Sequence, residues 1–127
     1  MSCNTEDYSR QERTFADMCE WWCAKKGIPI GEFYSRSNLM RSTFSRLRTH
    51  PELMPRKNTA LACAIGLKLD YDQTQDLLKR AGMMLSGYYQ TDLIVEEFIR
   101  QKIFDIDLIN IELVKNNLSP LGTKKHK

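Results

Sequence analysis

Of the four cysteines, Cys3, Cys19, Cys23 and Cys63, Cys19 and Cys23 stand four residues apart, one turn of a helix, so two thiolates could face a single metal ion, with Cys3, His50 and His126 as the nearest other soft ligands by type. The same two cysteines also share the apolar spacing of Phe15, Met18 and Trp22, and a pair of reduced thiols buried in a helical stripe is the simpler reading. No metal or other cofactor is expected. His50 beside Pro51 reads as a loop residue rather than a general base, and Glu96 with Glu97 and Asp105 with Asp107 read as surface or capping carboxylates. There is no glycine-rich phosphate loop, no zinc-protease pair of histidines and no serine in a nucleophile elbow, so the chain is not expected to be an enzyme.

The residues with binding chemistry are basic ones. Net charge is +3, but residues 25–57 hold eight basic side chains against two acidic, while residues 1–24 carry an acidic excess and the remainder balances. An isolated basic window is either a solvated face or the footprint of a phosphate backbone. Within it, Arg41, Ser42, Ser45, Arg46 and Arg48 fall on the arc of a helix opposite Phe44 and Leu47, and Arg56 and Lys57 follow in a loop. Arginine can pair with guanine edges and serine with bases or phosphates, so these seven residues form the candidate nucleic-acid-binding set.

The elements that must position them are helical throughout. Residues 1–13 read as an N-terminal tail, 14–118 as one helical domain and 119–127 as a mobile tail. Thr14 caps a first helix that stops at Gly27; a short second helix follows Pro29 and stops near Asn38, which tolerates a left-handed turn; the third spans about 40–49. Pro51 and Pro55 bracket a loop, Asn58 or Thr59 is expected to cap a fourth helix, and Asp70 or Asp72 opens a fifth that ends before Gly82. Thr91 is expected to cap a sixth helix with Ile94, Val95, Phe98 and Ile99 inward, and Asp105 or Asp107 a seventh with Ile106, Ile109, Leu113 and Val114 inward. At 127 residues and 42% hydrophobic content one packed domain is expected. No apolar run is long enough for a membrane helix and the start is not a secretory signal, so a soluble cytoplasmic protein is expected.

The stretch "EFYSRSNLMRSTFSRLRTH", followed by Pro55 and "TALACAIGLKLD", resembles the helix-turn-helix of the lambda-repressor-like (XRE-type) family over about Phe15 to Leu77. Phe33, Asn38, Leu39, Phe44, Leu47 and Pro55 match the family's apolar, turn and loop positions. The resemblance implies an all-α fold, with a helix-turn-helix core of about five helices over 14–82 and a C-terminal helical hairpin over 91–118. It also implies a transcriptional regulator of bacterial or phage type that places helix 3 in the major groove of double-stranded DNA. Three positions depart from the pattern. Tyr34 stands where alanine is usual, so the two helices separate or the ring tilts outward; Ile30 stands near the usual glutamine; and Arg48 replaces an acidic residue. The region after the fifth helix looks like uncharacterised bacterial and phage helical domains, some fused to macro domains. The alternative function is a helical protein-interaction module or adaptor, with "MMLSGYY" and the last two helices as its surface, and a homodimer through helices 6 and 7 is compatible with either.

Overall fold

A computed structural model describes residues 13–123, and helix is the only regular secondary structure among them. Seven helices follow one another: α1 (Phe15–Lys26), α2 (Ile30–Arg36), α3 (Arg41–Thr49), α4 (Lys57–Gly66), α5 (Tyr71–Lys79), α6 (Gln90–Arg100) and α7 (Ile106–Lys115). No described helix is long and apolar enough to cross a membrane.

Local chemistry explains most boundaries. Reciprocal capping boxes open α1 (Thr14 with Asp17) and α5 (Asp70 with Gln73), and the Asp105 carboxylate accepts from the first turn of α7. Six of the seven helices then end alike: Gly27, Asn38, Lys68, Gly82, Lys102 and Asn117 take positive φ just past the helix. The apolar residue that follows each (Ile28, Leu39, Leu69, Met83, Ile103, Leu118) donates its N–H to a carbonyl five residues back. Only α3 stops differently, at His50 before Pro51.

Helix α4 is the hub. Every residue from Thr59 to Gly66 is buried, and α2, α5 and α7 all pack on it. Helix α1 rests on α2, α3 and α5, and α6 on α5 and α7. The last two helices thus form a hairpin that packs on α4 and α5. The buried carboxylate of Asp92 ties them in, accepting from the Ser86 N–H at 2.7 Å and from Lys57 Nζ at 2.6 Å.

Several boundaries and contacts differ from the sequence reading. Helix α4 starts at Lys57 with Arg56 as its N-cap and no capping side chain, so neither Asn58 nor Thr59 caps it; Asn58 donates instead to the Pro120 carbonyl at 3.3 Å. Helix α6 starts behind Tyr89 rather than Thr91. On the hairpin, Val95, Ile99, Ile106, Ile109 and Leu113 are buried, Ile94 and Phe98 are half-buried, and Val114 faces out. Residues 119–123 are not a mobile tail: Leu121 is fully buried. The expected N-terminal tail up to residue 12 and residues 124–127 lie outside the described residues.

Cys19, Cys23 and Cys63 are buried free thiols, as the apolar-stripe reading has it; Cys3 lies outside the described residues. Burial first, and then the thiol of Cys63, push the Cys19 thiol well up; burial, with Cys63 and Glu20 adding to it, raises Cys23 to about 11. Among the described residues no three His, Cys, Asp or Glu side chains come together as a metal site.

Two outcomes follow from this packing. Phe44, wholly buried against the rings of Phe33 and Tyr34, should cost about 3–5 kcal/mol when cut to alanine, read by urea unfolding. Lys102, exposed at φ 59°, should gain about 0.5–1 kcal/mol as Lys102→Gly, because glycine takes that conformation without the Cβ clash; an unchanged or lowered melting temperature would contradict this.

Candidate nucleic-acid interface

Helix α3 carries three arginines and no acidic residue. Phe44 and Leu47 turn inward, and Arg41, Ser42, Ser45, Arg46 and Arg48 are all exposed, as helical phase predicts. What orients the helix is an aromatic layer. The Phe44 ring meets Phe33 edge-on at 5.3 Å between centroids and Tyr34 at 5.8 Å. Tyr34 is therefore not tilted outward but buried at 8% exposure, and α2 and α3 meet through rings rather than backbone to backbone. The Arg41 guanidinium lies over the Tyr34 ring, 5.4 Å from its centroid, which holds its stem beside α2.

The turn between α2 and α3 is braced by the segment after α7. Asn38, left-handed at φ 55°, accepts from the Thr123 N–H at 2.9 Å and donates through Nδ2 to the Leu121 carbonyl at 3.1 Å. Met40, the N-cap residue of α3, donates its N–H to Thr123 Oγ1 at 2.8 Å, so one of the free N–H groups at the start of the helix finds its acceptor 83 residues away. Asn110 grips Leu121 from the other side, accepting its N–H at 2.7 Å and donating to its carbonyl at 3.2 Å. Gly122 passes so close that a Cβ there would stand 2.5 Å from the Asn38 carbonyl oxygen.

Between α3, the loop after it, the start of α4 and this strap lies an open groove of about 800 Å³. Its polar lining comes from Thr43, Arg46, Arg56, Lys57, Asn58, Thr59, Ser119 and Thr123. The uncapped first turn of α4 lines it too, so the positive end of a helix dipole adds to two guanidinium groups.

The seven sequence candidates therefore separate. Arg41, Ser42, Ser45 and Arg46 share the outer face of α3, and Arg46 and Arg56 come together at the groove. Lys57 lines the groove as well, but its ammonium is engaged by Asp92 and lies 4.9 Å from the Tyr89 ring centroid. Arg48 points to α1, pairing with Glu20 at 2.7 Å, both side chains about half exposed. Thr43, Asn58 and Thr123 were missed. Thr43 could have been found from its i,i+3 spacing to Arg46, whereas Thr123 gives no signal in sequence. His50 sits in the exposed loop, 3.6 Å from the Glu52 carboxylate.

No family model matches the chain, and comparison with curated proteins and with solved structures finds no similar one.

Gly122→Ala tests whether the strap braces the turn. With φ at 96° and a backbone oxygen in the path of the new methyl, the variant should lose about 2–4 kcal/mol in denaturant unfolding. Parental stability would mean that the strap contributes nothing to the fold.

Proposed function

We propose that the chain is a double-stranded-DNA-binding regulator of helix-turn-helix type, with α3 entering the major groove. The observation that carries the reading is the outer face of α3, where Arg41, Ser42, Ser45 and Arg46 are exposed together with no acidic residue on the helix, above a buried face that fixes its orientation. The left-handed Asn38 between two short helices supports it, as does the likeness of these residues to the lambda-repressor-like pattern.

In this mechanism Arg41 and Arg46 pair with guanine O6 and N7, and Ser42 and Ser45 reach bases or phosphates. Arg56 and the first-turn N–H groups of α4 hold a phosphate in the groove beside α3, the N-terminus of a helix being a ready anion site. Lys57 contributes less, because its charge is matched by Asp92; Arg48 has to exchange Glu20 for a phosphate, a small cost for an exposed pair. No catalytic step enters the mechanism.

A second reading is a protein-interaction module. The connector before α6 leaves Met84, Tyr88 and Tyr89 largely exposed, the kind of apolar and aromatic surface that protein partners cover.

Selection of duplexes from a random pool, followed by titration at two salt concentrations, separates the two. A protein that neutralises about four to six phosphates should lose roughly ten- to a thousandfold in affinity between about 50 and about 200 mM salt. The Arg41→Ala, Arg46→Ala double variant should bind at least about thirtyfold more weakly with its fold intact. Failure to retain any duplex, or parental affinity in the double variant, would remove α3 as a recognition helix.

A further inference from the structure

Helix α7 buries Ile106, Ile109, Asn110 and Leu113 and leaves a second apolar stripe in solvent: Leu108, Ile111 and Val114 are 48%, 56% and 55% exposed. At 100° per residue these three, with Asp107 and Lys115, fall within about 60° of the direction of Ile111, so they form one face. The order of residues on that face is self-complementary. Leu108 and Val114 lie three residues to either side of Ile111, and Asp107 and Lys115 lie four to either side, an acid at one end and a base at the other.

We propose that α7 pairs antiparallel with α7 of a second copy of this chain, across a two-fold axis at Ile111. A two-fold interface requires that if one residue meets another, the second meets the first in return, and this face satisfies that condition at every position. Ile111 meets Ile111, Leu108 meets Val114, and Asp107 meets Lys115, each of the last two contacts occurring twice. The antiparallel arrangement also sets the positive start of each helix dipole beside the negative end of the other. An unrelated partner would need no such symmetry. Lys115 is 69% exposed and only loosely held by Glu112 at 3.8 Å, so it is available to turn to a partner's carboxylate.

A ten-residue helix is about 15 Å long, so the contact is at the small end of specific interfaces and the dimer is a weak one. It is independent of the DNA reading, and its test contains no DNA. Sedimentation equilibrium of the full chain from about 5 to about 500 µM should show mass rising from monomer to dimer. Ile111→Asp, which sets two carboxylates against each other on the axis, should weaken the dimer at least about thirtyfold at unchanged melting temperature. Asp107→Lys and Lys115→Asp should each weaken it about three- to tenfold, and the double exchange should restore it. A chain that stays monomeric throughout, an Ile111→Asp variant that still dimerises, or a double exchange no better than either single one would overturn the proposal.

Discussion

From Thr59 to Gly66 helix α4 has no solvent face, and the rest of the fold is arranged around that fact. Small residues make it possible: Ala60, Ala62, Ala64 and Gly66 let neighbours approach from every side, and a Cβ on Gly66 would stand 2.0 Å from Ser37 Oγ. The end of α2 is seated directly on the hub. The Ser37 hydroxyl is buried there with no hydrogen-bond partner, a cost of about 1–3 kcal/mol that the close approach imposes. From Ser37 the chain turns through Asn38 into α3, so this close approach to Gly66 positions the start of the candidate recognition helix that the aromatic layer then orients.

The basic window changes character when the fold is formed. Arg36 pairs with Glu32, Arg48 with Glu20 and Lys57 with Asp92, while Lys26 donates to the Lys68 carbonyl at 2.7 Å. Lys25 lies over the Trp21 ring. The charge that makes the segment conspicuous in sequence is thus partly committed to intramolecular contacts. Arg46 and Arg56 make no ion pair or ring contact among the described residues, and both line the groove beside α3. The field offered to an anion is smaller than the residue count implies and more localised.

Much of this was legible in sequence because it depends on neighbours. The spacing of Phe15, Met18, Cys19 and Trp22 places α1, the capping residues Thr14, Asp70 and Asp105 mark helix starts, and phase alone separates Phe44 and Leu47 from the arginines of α3. What stayed hidden depends on residues far apart. Leu121 is a single apolar residue in a polar stretch, and nothing local says that Asn38 and Asn110 will close on it. Asp92 reads as an ordinary helix-start acid until Lys57 arrives from α4. Tyr34 reads as too large for its site because the room for its ring is made by the spacing of α2 and α3.

The strap gives the α2–α3 turn a history as well as a geometry. Asn38 and Met40 receive their partners from Leu121 and Thr123, 83 residues later in the chain. At translation rates of about 5–20 residues per second, the turn exists for roughly 4–17 s before the residues that brace it have been made. For that interval the Met40 N–H lacks its acceptor, and the buried site that Leu121 will fill has no occupant. The residues made last are therefore the ones that steady the α2–α3 turn, and with it the exposed face of α3.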